Sequence, residues 1–202
     1  MDPSKLFQET DITDLINRIK SYPLGLVVAV DDRGKPQVAH VPVLVEMQED
    51  EVFLSFHLTR HNSVCDALLK SDNCLCIFTG PNAYISPDWY GVPNQVPTWN
   101  YLSVECAGDV SRLDTDGLVK QLDGLSEFFE TQLLPKPIWT RTKMKDGKFE
   151  AMLGAITGFK MRVTNLQGTT KLNQNKSPDA RNKVIAALKD NKVAAAMGNL
   201  ED

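Results

Sequence analysis

His57-Leu58-Thr59-Arg60-His61-Asn62 places two imidazoles, a hydroxyl, a guanidinium and an amide side by side. If a strand ends there and a helix begins, the helix start presents free N–H groups and the positive end of its dipole. Arg60 adds a planar fork of donors matched to a phosphate, flanked by Thr59 and His61. That set is a candidate phosphate cradle. The plainer reading makes Asn62 a helix cap and Arg60 a surface charge. A second group is Lys171-Leu172-Asn173-Gln174-Asn175-Lys176. Its amides could read the edge of a heteroaromatic ring, or simply make turns. A third is His40-Val41-Pro42, in which a proline inside a strand implies an edge or a bulge.

The fourth group is the stretch from Gly80 to Tyr101. It holds two of the three tryptophans, three of the four tyrosines and four of the eleven prolines. A connection of that length is usually functional or disordered. Its aromatic content argues against disorder. Tyr84, Trp89, Tyr90, Trp99 and Tyr101 could form a stiff wall for a flat ligand. They could equally form an Ω-loop packed on its own side chains.

Other chemistries are missing. Cys65, Cys74, Cys76 and Cys106 form no Cys-x-x-Cys pair, and His40, His57 and His61 have no zinc spacing relative to them, so no metal site is expected. The cysteines read as small buried hydrophobes. No Gly-x-Gly-x-x-Gly, P-loop, nucleophile elbow or pair of acid–base carboxylates is present. Flat aromatic faces, an anion cradle and an amide cluster suit a large phosphorylated cofactor that brings its own chemistry.

The elements that must position these groups follow from periodicity. The chain has 202 residues, 42% hydrophobic and 24% charged, with a net charge of -4. We expect one domain over 1–202, no membrane span, and a cytoplasmic location in the absence of a signal pattern. Helices are predicted over 11–21, 62–70, 114–134, 149–153 and from Ser177-Pro178-Asp179 to about 190. Strands are predicted over 24–30, 37–47, 52–58, 74–79, 101–113 and 156–166, the last closed by Gln167-Gly168. Hairpins with short helices between them predict a mainly β, antiparallel barrel decorated by helices. Residues 160–192 carry eight cations against two carboxylates, so the helical segment at about 168–202 is expected to be basic. The overall acidity argues against a nucleic-acid footprint across the whole surface.

Gly80-Pro81, Ala83-Tyr84-Ile85-Ser86-Pro87, Trp89-Tyr90 and Val96-Pro97-Thr98-Trp99-Asn100-Tyr101 resemble the hallmark of the PaiB-like family. Its members are described as FMN-binding negative transcriptional regulators with the FMN-binding split-barrel fold. His40 and Pro42 resemble its His-x-Pro pair, and His57, Arg60 and Asn62 its His-x-x-Arg-x-Asn segment. Lys171-Leu172 and Gln174-Asn175 resemble its Lys-Leu-x-Gln-Asn segment. Ser63 departs from the proline found after that asparagine.

The resemblance implies a homodimer with FMN at the subunit interface. Thr59-Arg60-His61 is similar to the segment that grips the FMN phosphate in related split barrels. It also implies that the strand 38–43 runs beside the flavin ring. Ser86, Trp89, Thr98, Trp99, Asn100, Lys171, Gln174 and Asn175 would then line the pocket. The implied role is a flavin-dependent transcriptional regulator or sensor. The alternative is a flavin-dependent oxidoreductase of an unknown small molecule, with His40 or His57 moving a proton. DNA contact has only the basic C-terminal segment to draw on.

Overall fold

The computed structural model describes residues 5–200. After a short 3-10 turn the chain runs through β1 (Gln8–Glu9), α1 (Ile12–Ser21), β2 (Leu24–Val30), β3 (Pro36–Pro42), β4 (Leu44–Gln48) and β5 (Glu51–Thr59). It continues through α2 (Ser63–Leu68), β6 (Asn73–Ile85), β7 (Thr98–Arg112), α3 (Thr115–Thr131), α4 (Lys148–Leu153), β8 (Ile156–Lys171), α5 (Pro178–Leu188) and α6 (Lys192–Gly198). The strands form one eight-stranded, mainly antiparallel sheet in the order β3-β2-β6-β7-β8-β5-β4, with β1 paired to β8.

The described residues group into two compact units, and the long strands β6, β7 and β8 contribute to both. One unit holds residues 22–78 and 105–166. Its core comes from strict alternation: Val27 and Ala29 on β2, Ala39 and Val41 on β3, and Leu54, Phe56 and Leu58 on β5 are buried. Phe56 faces Phe159 across the β5–β8 ladder, with rings stacked at 5.8 Å. The β2–β3 turn is fixed by Asp31, whose Oδ1 accepts from the N–H groups of Arg33 and Lys35. Those bonds lower its carboxyl pKa. Asp114 caps α3 by accepting from Gly117 N at 2.8 Å, and Leu118, Gln121 and Leu125 turn inward. All four cysteines are buried and free, in keeping with their reading as small hydrophobes.

The other unit holds the N-terminal residues through 21, 79–104, and the chain from 167 onward. Asp11 caps α1 through Asp14 N, and Leu15, Ile16 and Ile19 are buried. A compact apolar cluster joins Ala83, Ile85 and Tyr90 to Leu172, Ala180, Val184, Val193 and Met197. Ser177 caps α5, as its Ser-Pro-Asp start predicts.

Several boundaries differ from expectation. The strand expected over 37–47 is broken at Val43, whose N–H donates to Pro23 O. The connection expected over 80–101 shrinks, because β6 runs on to Ile85 and β7 starts at Thr98. What remains is a 3-10 turn, Pro87–Tyr90, and the loop 91–97. The last strand passes through Gln167-Gly168 to Lys171. Gly168 is a close approach and not a stop: a Cβ there would lie 2.2 Å from Leu15 Cδ2. The helix α6, capped by Asn191, was not foreseen.

Candidate flavin site

The expected site residues fall into two sets, one in each unit. In the unit of 22–78 and 105–166, Thr59 ends β5 and Arg60 and His61 make the tight turn before α2, all three exposed. Asn62 N–H donates to Thr59 O, and the Asn62 side chain caps α2 by accepting from Val64 N at 2.8 Å. Arg60 is anchored by its own N–H to Ala155 O and by its Nε to Ile156 O. It lines a cavity of about 490 Å³ together with Arg112, Thr115, Thr157 and Gly158. Two guanidinium groups and two hydroxyls around one space form a donor set suited to a phosphate dianion. Arg112 was missed in the sequence because it ends a strand far from the Thr59 motif. The carboxylate bordering the cavity, Asp114, is engaged at the start of α3.

His40 is exposed at the middle of β3, an edge strand, opposite Leu26 of β2; Pro42 sits opposite Leu24 at the strand's end. The proline is thus on an edge, as its lost N–H requires. The same sheet face carries Val38 opposite Val28, and β6 adds Ile77 opposite Leu26 and Leu75 opposite Val28. Leu24, Val30 and Val38 on this face are each at least half exposed. His57 is half-buried on β5, with Nδ1 at 3.1 Å from Gln121 Oε1. Burial lowers its pKa, and the bond to Gln121 opposes that only in part.

In the other unit, Lys171 Nζ donates to Thr98 Oγ1 at 2.8 Å, joining two expected site residues across sequence. Gln174 is spent on the backbone: its Oε1 accepts from Leu172 N at 2.7 Å and its Nε2 donates to Thr170 O. Asn175 is exposed, and Ser86 precedes the 3-10 turn without capping it through its side chain. The aromatic wall divides. Tyr90 is buried in the core and Trp89 packs against it, whereas Tyr84 and Trp99 are about half exposed and meet edge to face at 6.1 Å. Asn100 is fully buried, its Nδ2 on Met197 Sδ and its Oδ1 without a partner. Asn173 was part of the amide run read from sequence, but it stood at the variable position of the family's motif and was left out of the expected pocket. It is buried with φ at 64°, accepts from the Tyr90 hydroxyl at 3.1 Å, and leaves its Nδ2 unpaired.

FMN presents a flat ring system, a polyol chain and a phosphate. The Arg60–Arg112 cavity fits the phosphate. The exposed Trp99 and Tyr84 faces, and the apolar sheet face around His40, are surfaces of the kind a flat ring seeks. Among the described residues no group of three or more His, Cys, Asp or Glu side chains could hold a metal ion, and no helix is long and apolar enough to cross a membrane.

The fold is that of the flavin-binding split barrels. It is shared with the flavocytochrome Anf3 from Azotobacter vinelandii at a TM-score of 0.63, with 12% identity over 85% of this chain and 72% of that one. It is also shared with the FAD and heme binding protein from Mycobacterium smegmatis at a TM-score of 0.58, with 19% identity over 89% of this chain and 79% of that one. Within that class, the chain belongs to the PaiB-like, FMN-binding family described as "Putative FMN-binding domain", which matches residues 1–165. A relative in Bacillus subtilis, "Protease synthase and sporulation protein PAI 2", is 31% identical over 92% of this chain and 88% of its own length.

Proposed function

We propose that the protein is an FMN-holding homodimer that acts as a flavin-responsive transcriptional regulator or sensor. The uncovered apolar face around His40 carries this reading. A soluble sheet rarely leaves Leu24, Leu26, Val28, Val38, Leu75 and Ile77 together on an open side unless a partner or ligand covers it. A second copy of the chain supplies the partner, and FMN the flat ligand. Arg60 and Arg112, with Thr59 and His61 beside them, hold the phosphate. His40 and Pro42 lie along the ring edge; in the other unit Thr98, Trp99 and Lys171 form a surface of their own that suits a flat ligand. Bound FMN supplies the redox chemistry; the protein positions it and shields it from water.

Sedimentation velocity combined with flavin absorbance tests this. The expected species is a dimer with one FMN per subunit. Val38→Lys, which puts a charge on the face, is expected to give monomers that release flavin. A monomeric wild type fully loaded with FMN would sink the proposal.

The regulatory part rests on the family description, and DNA is its expected partner. Much of the basic segment is otherwise engaged: Lys171 on Thr98, Lys176 on Gln95, Lys183 on Asp179. Contact with phosphates therefore falls to the exposed Lys189 and Lys192. A gel shift whose affinity falls steeply with salt supports it; no shift at low salt, with the flavin either oxidised or reduced, refutes it. A flavin-dependent oxidoreductase is the second reading, favoured by the exposed His40 imidazole on the proposed flavin face. Anaerobic NADH or NADPH should then bleach the flavin.

A further inference from the structure

His57 also lines a different space, formed by the chain between α3 and β8. This cavity, of about 260 Å³, is lined by Leu122, Trp139, Met144, Phe149, Met152, Leu153 and Ile156. At about 30 Å³ per water, that is room for a molecule of one or two rings. Of the lining residues, Trp139 and Met152 are exposed, Met152 more than half so.

The polar groups on its wall restrict the occupant. Asp123 and Arg141 pair with each other at 3.1 Å, and the Arg141 guanidinium lies 5.0 Å over the Phe149 ring. Each charge is thereby matched, so the wall offers no excess charge to a charged ligand. The Ser126 hydroxyl donates to Leu122 O within its own helix. His57 is different. Its Nδ1 faces the carbonyl oxygen of Gln121, which can only accept, so Nδ1 carries the proton. Burial keeps the ring neutral. Nε2 is then a bare acceptor on a largely apolar wall.

We propose that this cavity binds a small, flat, uncharged molecule of one or two rings that presents a single O–H or N–H to His57 Nε2. Apart from His57, none of the lining residues belongs to the expected flavin set. Leu153 and Ile156 also border the Arg60–Arg112 cavity, so the two spaces adjoin; this one differs in its apolar wall and its single polar anchor, and it provides a place for a phenol-like effector or substrate.

Fluorine NMR of the full chain with 4-fluorophenol and 4-fluoroanisole tests the assignment. The two probes share a ring, but the second has a methyl in place of the donated proton. Saturable binding of the phenol, about tenfold tighter than the ether, is expected. His57→Phe should lower the phenol to the ether's affinity. Met152→Trp should fill the space and abolish both, with an unchanged circular dichroism melt showing that the variant is folded. FMN should leave the phenol's affinity unchanged. Failure of the phenol to saturate the wild type, equal affinities for the two probes, undiminished binding to folded Met152→Trp, or competition by FMN would each overturn it.

Discussion

Removing the Tyr90 hydroxyl should cost more than the loss of one hydrogen bond, because its partner is already half-starved. Tyr90 donates to Asn173 Oδ1 at 3.1 Å in a buried setting, and Asn173 Nδ2 has no partner. Burial raises the Tyr90 pKa, so the donor stays protonated at neutral pH. Tyr90→Phe leaves the whole Asn173 amide unsatisfied, at a cost of about 1–3 kcal/mol. For a chain of this length that lowers the melting temperature by about 2–12 °C. Asn173 sits at φ 64°, where glycine is at ease. In the wild type, Asn173→Gly strands the Tyr90 hydroxyl and destabilises. In the Tyr90→Phe background the same change removes an orphaned amide and relieves the backbone. The double variant should therefore be at least as stable as Tyr90→Phe, with a coupling of about 1 kcal/mol or more. Urea unfolding of the four proteins measures it. Equal costs of Asn173→Gly in both backgrounds would refute the reasoning.

Further outcomes are open to measurement. Arg60→Ala and Arg112→Ala should each weaken FMN about tenfold in a fluorescence titration while leaving riboflavin, which lacks the phosphate, nearly unaffected. His57 has a folded pKa below its ordinary 6.5, so the unfolded chain binds the proton better. Its contribution to stability is then full above pH 6.5 and is lost as pH falls, and His57→Phe should flatten that decline in urea midpoints. Gly108→Ala should leave the protein insoluble or strongly destabilised in a thermal melt, since the added Cβ would fall 2.0 Å from Arg162 O. Burial pushes the Cys106 thiol up to about 12, and the hydrogen bond with Cys74, with burial behind it, raises Cys76, so a thiol dye should label neither in the folded protein.

Where one face of an element is dry and the other wet, the sequence was readable. Alternation on β2 and β5 and the stripes of α1 and α3 located those elements, and Ser177-Pro178-Asp179 marked the start of α5. Reading failed where glycine and proline act as spacers. Gly80-Pro81 looked like a strand's end, yet β6 continues with Ala83 and Ile85 inward and Tyr84 outward. At the site, the Thr59-Arg60-His61 turn was visible as a contiguous motif. Arg112 was not, since only the fold brings it to the cavity of Arg60. Gln174 looked like a free reader of ring edges, and its commitment to Leu172 and Thr170 depends on a backbone path that no local pattern encodes.

The matched FMN-binding domain, residues 1–165, ends before the stretch that completes a core, although likeness to the Bacillus subtilis relative runs on beyond it. Ala83, Ile85 and Tyr90 are kept dry by Leu172, Ala180, Val184, Val193 and Met197, all beyond that limit. Lys171 and Lys176 from the same tail hold Thr98 and Gln95. A fragment cut at residue 165 would keep the aromatic segment and lose the packing that holds it in shape. The matched domain and the folding unit thus end at different residues, and a change in the tail can retune the aromatic segment without altering a letter of it.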